Sequence, residues 1–343
     1  GMRCLEDLLD MAPDRYEVTV IGEEPWGNYN RIMLSPVLSG EKTIDDIMLH
    51  PHAWYSDKGI KFIADDPAVK IDRPRKVVYT EKGEKVDYDR LIIATGSSPF
   101  VPPVEGADLK GVISFRDIYD VNTMIKYCET KNNAVVIGGG LLGLEAAYGL
   151  KQRGMNVTVL HLMDRIMERQ LDGRASRMLR QSIEQKGINI ITEANTEALI
   201  GKKGHVSQVR LKDGTVLDAD LVVFAVGIRP NIALAQSAGL RCNRGVLVND
   251  TMQTFDPSIY AVGECIEHRN QTFGLVEPLW GQAFVCATHL AEHGSLTFKS
   301  PTVPTQLKVS GVDVFSAGNI EPKEDYEDII LNDEKRQIYK RII

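Results

Sequence analysis

A glycine-rich segment near the middle of the chain has the residue types and spacing of a dinucleotide-binding turn. The apolar run 134–137 leads into Gly138, Gly140 and Gly143, which follow the pattern G-x-G-x-x-G, and an alanine-rich helical pattern comes next. The first glycine allows a tight turn, the second lets backbone approach a pyrophosphate, and the third lets a helix pack closely on a strand. The helix N-terminus then faces the anion. The segment predicts dinucleotide binding; the alternative is a purely structural glycine turn.

The residue at the end of the following strand bears on the choice of nucleotide. In dinucleotide-binding folds this position meets the adenosine ribose, and a carboxylate there selects against a 2′-phosphate. Here the position is His161, which can hydrogen-bond a ribose without strongly excluding a phosphate, and Arg165 is near enough in sequence to hold one. The choice between NADH and NADPH therefore stays open. A purely structural role for His161 is the alternative.

The chain contains a diverged internal repeat. Residues 18–21 are matched by residues 157–160, and residues 91–99 by residues 222–230, with offsets of 139 and 131 residues. Continuous β-branched runs of this kind suit strands that are buried on both faces of a parallel sheet. Because the repeat is far too long for a solenoid, we predict an α/β chain with two Rossmann-like dinucleotide-binding domains.

The repeat also assigns chemistry to residues near the start of the chain. When the two copies are aligned, Gly1 takes the place of the third glycine of a first phosphate-binding turn. We therefore expect the first strand and most of that turn to precede Gly1; the alternative is a tag remnant ahead of a natural methionine. Glu23 and Glu24 follow the second strand of this copy, and Glu23 is the favoured ligand of the ribose hydroxyls. An ordinary solvated carboxylate is the other interpretation of Glu23.

Composition excludes several other classes of protein. The net charge of −7 and the isoelectric point near 5.6 argue against a nucleic-acid-binding stripe and against adhesion to an anionic membrane. No run approaches the ~20 consecutive apolar residues of a membrane helix, and no secretory pattern opens the chain. The five cysteines are scattered without a C-x-x-C pair, so we predict no metal site and no redox dithiol. Such cysteines are typical of buried thiols in cytoplasmic proteins.

Segments spread over nearly the whole chain resemble one family of flavoproteins. They are N-Y-N-R-I-M-L-S at 28–35, A-T-G at 94–96, the glycine-rich stretch 138–147, M-E-R-Q-L-D at 167–172, G-I-R-P-N at 227–231, I-Y-A-V-G-E-C at 259–265 and K-V-S-G-V-D-V-F-S-A-G at 308–318. The chain resembles the two-dinucleotide-binding flavoprotein reductases of the pyridine nucleotide-disulfide oxidoreductase superfamily. Within them it is most similar to the N-terminal flavin module of the assimilatory NAD(P)H-nitrite reductase large subunit.

The resemblance implies that the first copy binds FAD and the second binds NAD(P)H. Besides Gly1 and Glu23, the positions implied for FAD are Arg31, Ser35, Ala68, Ala94, Thr95, Gly96, Gly263, Glu264 and Trp280. Besides the three glycines, His161 and Arg165, the positions implied for the nicotinamide cofactor are Leu141, Leu142, Val226 and Gly227. Glu264 stands where relatives have an aspartate at the ribityl chain. Trp280 lies in a W-x-x-A segment similar to one that flanks the isoalloxazine; a plain core tryptophan is the alternative.

The resemblance also singles out a carboxylate for the reaction. Glu145, on the helix after the glycine turn, matches a residue that points toward the meeting of nicotinamide and flavin. In many relatives this glutamate pairs with a lysine just after an L-S dipeptide, where this chain has Pro36. Lys42 is the nearest substitute, so Glu145 and Lys42 are the catalytic candidates. A helix-surface glutamate without a catalytic task is the alternative.

Disulfide reductases of this superfamily carry a cysteine pair or a single cysteine on the helix after the second strand. Here the corresponding residues 28–38 contain no cysteine. The resemblance therefore implies that electrons leave the module without a protein dithiol. The resemblance implies an iron–sulfur centre further along the same polypeptide, ahead of a nitrite-reducing sirohaem domain. We expect the chain to continue past Ile343 into that region. The alternatives are a free-standing NAD(P)H-dependent rubredoxin or ferredoxin reductase or NADH oxidase, and a non-catalytic nucleotide sensor.

The positions of these motifs predict the domain organisation. We expect a discontinuous FAD domain at 1–103 and 233–300, an inserted NAD(P) domain at 104–232, and a partial β-rich C-terminal domain at 301–343. The expected partners are NAD(P)H and the downstream iron–sulfur and sirohaem domains or a separate redox protein. A homodimer is possible, and neither nucleic acid nor a membrane is expected to bind.

Overall fold

The computed structural model of the chain describes residues 1–294, 296–301, 304–309, 312–320, 327–333 and 335–343. The chain divides into two compact units, each built from separate stretches. Unit 1 comprises Gly1–Asn30, Met48–Ser98 and Ile228–Pro301, and unit 2 comprises Arg31–Ile47, Pro99–Gly227 and Thr302–Ile343. Both units are therefore discontinuous, and residues 31–47 group with unit 2.

Helices are interspersed with runs of consecutive strands along the chain. The helices are α1 (Met2–Met11), α2 (Leu34–Ser39), α3 (His52–Asp57), α4 (Ile118–Cys128), α5 (Leu141–Gln152), α6 (Gly173–Gln185), α7 (Ala233–Ser237) and α8 (Val276–Leu290). The strands before α4 are β1 (Thr19–Ile21), β2 (Asn28–Tyr29), β3 (Met48–His50), β4 (Lys61–Ile63), β5 (Ala68–Asp72), β6 (Val77–Thr80), β7 (Lys85–Asp87), β8 (Leu91–Ile93), β9 (Ser97–Pro99) and β10 (Val112–Ser114). Those that follow are β11 (Asn133–Ile137), β12 (Asn156–Leu160), β13 (Ile188–Ile191), β14 (Thr196–Lys202), β15 (His205–Leu211), β16 (Val216–Asp218), β17 (Leu221–Phe224), β18 (Ile228–Pro230), β19 (Val246–Leu247), β20 (Ile259–Ala261), β21 (Ile266–His268), β22 (Gln271–Thr272), β23 (Thr305–Val309), β24 (Val312–Ser316), β25 (Ile329–Asp333) and β26 (Ile338–Ile342).

Unit 2 is organised around a parallel sheet with the strand order β10-β17-β11-β12-β13. In its middle, Val136 of β11 lies opposite Val159 on one side and Val223 on the other. Every residue of β17 is buried, as expected for an apolar strand that is covered on both faces. α5 connects β11 to β12 and buries small residues such as Ala146 and Ala147, which allow a helix to approach a sheet closely.

Unit 1 repeats part of this order with separate strand pairs. β1 pairs with β4 and β8 pairs with β20, in parallel in both cases. An antiparallel sheet, β5-β6-β7, connects β4 to β8, just as β14-β15-β16 connects β13 to β17 in unit 2. α1 and α8 supply Cys4 and Cys286 to one apolar core together with Ile93 of β8. The predicted α/β class and the internal repeat are both confirmed by this topology.

The C-terminal residues of unit 2 form antiparallel hairpins, β23-β24 and β25-β26. The second hairpin contacts the start of α6, where the Tyr339 hydroxyl donates to Asp172 Oδ2 at 2.5 Å and Arg341 Nη1 donates to the same oxygen at 3.0 Å. Asp172 also caps α6 by accepting from the backbone N–H of Arg174 and Ala175. Asp172, the last residue of the M-E-R-Q-L-D segment, therefore anchors the second hairpin to the start of α6. Ser310 and Gly311 of the other narrow motif lie outside the described residues.

The five cysteines are free thiols, and those at positions 4, 265 and 286 are buried. Within the described part of the chain, no group of three or more His, Cys, Asp or Glu side chains is arranged to hold a metal ion. None of the described helices is both long and apolar enough to cross a membrane.

The start of α4 holds a half-buried carboxyl group. Asp120 Oδ2 accepts from the Arg116 backbone N–H at 2.7 Å and from the Ser114 hydroxyl at 3.3 Å. Burial, assisted by the nearby charge of Asp117, raises the pKa of Asp120 from 3.8 to about 6. A carboxyl group with a raised folded-state pKa stabilises the fold fully below its unfolded-state pKa, and that contribution is lost as pH rises through about 6.

Asp120→Asn should therefore make the chain more stable than the wild type above about pH 6, because asparagine keeps the acceptor oxygen and cannot ionise. We expect a gain on the order of 2 kcal/mol at about pH 8, with the difference vanishing toward about pH 4. Urea unfolding of both proteins across this pH range measures it. A constant difference at all pH values would show that Asp120 is not the titrating group.

Candidate dinucleotide-binding sites

The glycine turn of unit 2 has the geometry that the sequence predicts. Gly138 has a φ of +125°, and a Cβ there would lie 2.3 Å from the Ala225 carbonyl oxygen. A Cβ on Gly143 would lie 1.9 Å from the Gly138 carbonyl oxygen, so α5 and β11 could not approach so closely with any other residue. A Cβ on Gly140 would meet nothing within 4 Å. The first and third glycines thus close the turn, and the second leaves open space beside the helix N-terminus.

Gly140 is the N-cap of α5, and no side chain caps this end. Leu141 and Leu142 begin the helix, and Leu142 is exposed. The first backbone N–H groups of a helix have no intrahelical acceptor, which makes them donors for an anion. The open space and these donors together fit a pyrophosphate. Val226 and Gly227 follow β17, at the same carboxyl edge of the sheet.

His161 directly follows β12 and is buried. The Gly139 backbone N–H donates to His161 Nδ1 at 3.0 Å, so this nitrogen is an acceptor and the neutral ring carries its proton on Nε2. Nε2 lies 3.0 Å from Glu168 Oε2 and donates to it. Both ring nitrogens are thus engaged within unit 2, which favours the structural alternative for His161. Glu168, which the sequence analysis did not select, supplies the carboxylate near this strand end.

Arg165 lies in the loop after His161. Its Nη1 contacts the carboxylate of Asp164 at 3.3 Å, and its buried Nε has no hydrogen-bond partner among the described residues. An unpaired buried donor costs about 1–3 kcal/mol. Other parts of the Arg165 side chain are exposed, so the choice between a ribose and a 2′-phosphate stays open.

Glu145 is partly buried on α5. Its Oε2 accepts a hydrogen bond from the Ser35 hydroxyl at 2.6 Å, across the contact between α5 and α2. Burial raises the pKa of Glu145, and the Ser35 hydrogen bond opposes this rise in part. The pairing with Lys42 is wrong: among the described residues Glu145 makes no ion pair. Lys42 lies beyond the left-handed turn at Gly40 that ends α2, whereas Ser35 lies inside that helix.

α2 is held against α5 by a second contact. Arg153, at the C-cap of α5, donates from Nη2 to the Val37 carbonyl oxygen at 3.1 Å. A Cβ on Gly149 of α5 would lie 2.7 Å from Leu38 Cγ, so the two helices touch at a glycine. These contacts fix Ser35 opposite Glu145. In the preceding 3-10 turn, Arg31 Nη1 donates to the Arg116 carbonyl oxygen at 3.0 Å.

In unit 1, the segment after β8 forms a hydrogen-bonded turn. The Thr95 hydroxyl donates to the Asn231 carbonyl oxygen at 2.7 Å, and Asn231 Nδ2 donates to the Thr95 carbonyl oxygen at 2.9 Å. The Asn231 backbone N–H donates to the Gly96 carbonyl oxygen at 2.9 Å. These bonds rigidify the A-T-G turn. Asn231 was part of a sequence motif, but its role as the partner of this turn became visible only in the fold.

Gly1 has the contact expected of a third glycine. A Cβ on Gly1 would lie 2.8 Å from Ala94 Cβ, and a Cβ on Gly143 would lie 3.4 Å from Ala225 Cβ. Because Ala94 and Ala225 are equivalent in the repeat, Gly1 and Gly143 occupy equivalent places at the start of α1 and within α5. The alignment of Gly1 from sequence therefore agrees with the packing of unit 1.

The remaining candidates of unit 1 lie on several elements. Glu23 is exposed after β1, whereas Glu24 accepts from the Tyr29 hydroxyl at 2.7 Å, which supports the choice of Glu23. Ala68 begins β5 and is half-buried. Trp280 lies on α8 with 54% of its surface exposed, so it is not a plain core tryptophan.

The turn after β20 carries a carboxylate and an open backbone. Gly263 has a φ of +95°, and a Cβ there would meet nothing within 4 Å. Glu264 Oε2 accepts from the Ser97 hydroxyl at 2.7 Å. The Gly263 backbone N–H donates to Gln282 Oε1 at 2.9 Å, and Gln282 Nε2 is buried without a partner among the described residues. A cofactor with hydroxyl groups would fit this open space and this carboxylate.

Comparison with known proteins decides the family. A model of the pyridine nucleotide-disulphide oxidoreductase family matches residues 1–283. The chain belongs to this family. A model of the C-terminal domain of rubredoxin NAD+ reductase matches residues 304–343 of the same oxidoreductase. The resemblance drawn from sequence motifs is thereby confirmed, and so is the fold class of a two-domain flavoprotein reductase.

The chain is also similar to individual named proteins. The oxidoreductase is 48% identical to the NAD(P)H nitrite reductase of Bacillus subtilis strain 168, over 100% of its own length and 42% of the relative. It is 43% identical to an assimilatory nitrate reductase electron transfer subunit of the same organism, over 100% of its length and 44% of the relative. The chain thus spans less than half the length of these relatives. An NAD-dependent persulfide reductase from A. fulgidus superposes with a TM-score of 0.87 at 29% identity, covering 94% of this chain and 62% of that one.

The family makes this chain an oxidoreductase of the pyridine nucleotide-disulphide group. Three of its contacts were not found from sequence: Ser35 with Glu145, His161 with Glu168, and Gly263 with Gln282. The first pair is separated by 110 residues in the chain, so no local pattern could have revealed it. The motif M-E-R-Q-L-D did contain Glu168, but its partner depends on the fold of the loop.

Proposed function

We propose that this chain takes a hydride from NAD(P)H, bound by unit 2, onto FAD, bound by unit 1, and passes the electrons onward to a nitrite-reducing centre. The observation that carries the proposal is the glycine turn of unit 2. Gly138 and Gly143 have no room for a side chain, whereas Gly140 borders open space beside a helix N-terminus. This is the geometry that a dinucleotide pyrophosphate requires.

The residues of unit 2 would bind and orient NAD(P)H. Backbone N–H groups at the start of α5 donate to the pyrophosphate, and His161 braces the turn through Gly139. Glu168 and the partly exposed Arg165 lie near the end of β12, where the ribose binds in such folds. The carboxylate favours ribose hydroxyls and the guanidinium favours a phosphate, so we propose acceptance of NADH and NADPH with a preference set by their balance.

The residues of unit 1 would hold FAD. Thr95 and Gly96 form a turn that Asn231 rigidifies, and Glu264 presents a carboxylate to the ribityl hydroxyls. Bound FAD supplies the chemistry of the reaction, since a flavin accepts a hydride and releases electrons singly. No protein nucleophile is needed for this step. Glu145 and Ser35 would act by setting the charge near the nicotinamide.

The acceptor is proposed from the named relatives. Both Bacillus subtilis proteins work in nitrite or nitrate reduction by name, and both are more than twice as long as this chain. We propose that an iron–sulfur and sirohaem centre outside these 343 residues receives the electrons. The match of residues 304–343 to a rubredoxin reductase domain supports a second candidate, a separate redox protein as acceptor. A cytoplasmic location and a homodimer stay predictions.

An anaerobic titration tests the reductive half of the proposal. The purified chain is saturated with FAD, freed of excess flavin, and titrated with NADH and separately with NADPH while the flavin absorbance is followed. We expect the oxidised flavin band to bleach with about one equivalent of the preferred nucleotide per flavin. Bound flavin that neither nucleotide bleaches would contradict hydride transfer and leave a nucleotide-binding module as the better description.

A further inference from the structure

Gly139, the residue between the first two glycines of the turn, is held on both sides by the segment that follows β12. Its backbone N–H donates to His161 Nδ1 at 3.0 Å, and its carbonyl oxygen accepts from the Met167 backbone N–H at 3.0 Å. A Cβ on Gly139 would lie 2.9 Å from His161 Cγ, so the imidazole ring packs directly against the turn. The conformation of the glycine turn therefore depends on His161 and on the loop that follows it.

The hydrogen bond from Gly139 requires an unprotonated Nδ1 on His161. A backbone N–H is a donor only, and it cannot turn over as a side-chain amide can. A proton on Nδ1 would place two donors 3.0 Å apart at a residue that is only 8% exposed. The hydrogen bond would be lost, and both buried donors would lack this acceptor. Protonation of His161 is therefore expected to displace the turn or the ring.

The charged groups in contact with the ring determine where an added proton goes. In the neutral ring Nε2 carries the proton and donates it to Glu168 Oε2 at 3.0 Å, so the added proton goes to Nδ1 of His161. The Glu168 carboxylate attracts the resulting positive charge, and Arg169, whose Nε lies 3.9 Å from Glu168 Oε1, opposes it in part. Glu168 thus favours protonation of the ring, and the Gly139 N–H opposes it.

Three further charged groups belong to the segments beside His161. Asp164 and Arg165 contact each other in the loop, with Arg165 Nη1 3.3 Å from Asp164 Oδ1. Glu193 lies in the segment after β13, whose backbone hydrogen-bonds that of His161. The glycine turn and the first residues of α5, 138–144, contain no ionisable side chain. The charge on the ring is therefore controlled from the loop and not from the turn.

We propose that His161 is a positioning residue that holds the pyrophosphate-binding turn only while its ring is neutral, so that protonation weakens nucleotide binding. The inference deepens the proposed function and rests on it, because it takes unit 2 as the NAD(P)H-binding unit. His161 acts through Gly139 and needs no contact with the nucleotide. Histidine ordinarily changes charge between about pH 5 and about pH 8, so the affinity should fall as the solution is acidified across that range.

The affinity for NAD+ at different pH values tests the proposal. NAD+ is titrated into the full chain by isothermal titration calorimetry from about pH 5.5 to about pH 8. This nucleotide is chosen because it lacks the 2′-phosphate, whose own second ionisation falls at about pH 6. We expect the Kd to rise on acidification, approaching about 10-fold for each pH unit where the protonated ring predominates. Circular dichroism at each pH value checks that the chain stays folded.

His161→Asn separates the charge of the ring from its hydrogen bond. Asparagine Oδ1 branches from Cγ as Nδ1 does, so it can accept from the Gly139 N–H, and it does not ionise in this range. We expect the Kd of this variant to be the same at both ends of the pH range. His205→Asn is the matched control, because His205 is exposed on β15 of the same unit and should leave the pH dependence in place.

A second variant keeps the proposal testable if His161→Asn does not fold. Glu168→Gln retains an acceptor for the Nε2 proton but removes the negative charge that attracts the added proton. The rise in Kd should then begin at a lower pH than in the wild type. This shift is read from the shape of the profile, so a change in the limiting Kd that comes from a contact of Glu168 with the ribose does not affect it.

The outcomes separate the two proposals. If the wild type binds NAD+ at no pH in this range, the proposed nucleotide function of unit 2 fails. If the wild type binds NAD+ with a pH-independent Kd, or if folded His161→Asn keeps the wild-type pH dependence, the proposed role of His161 is overturned while the nucleotide function stands. The same conclusion follows if Glu168→Gln leaves the profile at the wild-type pH.

Discussion

Gly140→Ala is expected to weaken NAD(P)H binding by about 10-fold or more while leaving the stability of the chain unchanged. A Cβ on Gly140 meets nothing within 4 Å, and its φ of −88° suits alanine, so the folded protein accommodates the methyl group. The same methyl group occupies the space that the pyrophosphate requires. The change therefore separates binding from folding.

The measurement is the nucleotide dependence of anaerobic flavin reduction, paired with urea unfolding. The apparent Kd should rise, and the limiting rate should fall less than the affinity, because the reacting ring lies far from the pyrophosphate along the cofactor. An unchanged Kd for both NADH and NADPH would show that the turn does not hold the pyrophosphate.

Gly143→Ala is the contrasting control at the same turn. Its Cβ would lie 1.9 Å from the Gly138 carbonyl oxygen, so α5 must move away from β11. We expect a loss of stability of about 1–3 kcal/mol together with the loss of binding. If Gly140→Ala were destabilising to the same extent, its effect on binding would be a folding effect.

The turn itself could be predicted because its chemistry is local. The three glycines lie directly between a strand and a helix in the chain. The steric requirement for glycine at each position depends only on this local order. The internal repeat extended the prediction to Gly1, whose contact with Ala94 matches that of Gly143 with Ala225. Local pattern and repeat together were sufficient to predict the α/β class.

The partners of the buried polar groups could not be predicted because they come from distant segments. His161 directly follows β12, but its two nitrogens are engaged by Gly139 and Glu168, which only the folded loop brings together. Lys42 was chosen as the partner of Glu145 because many relatives have a lysine just after the L-S dipeptide and Lys42 is the nearest lysine in this sequence. The left-handed turn at Gly40 ends α2 before Lys42, and the hydroxyl of Ser35 takes the place instead.

Glu145→Gln is expected to slow flavin reduction by NAD(P)H about 10-fold and to remove the pH dependence that Glu145 imposes. Oxidation of the nicotinamide creates a positive charge on its ring, and a nearby carboxylate favours that change. Glutamine still accepts the Ser35 hydrogen bond, so the packing of α5 on α2 is kept. Rapid-mixing measurements of flavin reduction from about pH 5 to about pH 9 test this expectation.

Ser35→Ala tests the hydrogen bond between Ser35 and Glu145 by removing its donor. Burial raises the pKa of Glu145 and the Ser35 hydroxyl lowers it, so removing the hydroxyl raises the pKa further. The rate profile should then move to higher pH and recover the wild-type rate in alkaline solution. Ser39→Ala, a matched change on α2 whose hydroxyl donates to the Pro36 carbonyl oxygen, should leave the profile in place.

Stability provides an independent readout of the Glu145 charge. Because its folded-state pKa is raised above the ordinary glutamate value of 4.5, the carboxyl group stabilises the fold fully below that value, and this contribution is lost as pH rises through the folded-state pKa. Glu145→Gln should therefore be more stable than the wild type at about pH 8 and equally stable at about pH 4. A variant that is slower in flavin reduction yet more stable at alkaline pH would show that the ionised Glu145 lowers the stability of the fold but accelerates flavin reduction. A variant that is slower and less stable at every pH would instead make Glu145 a packing residue.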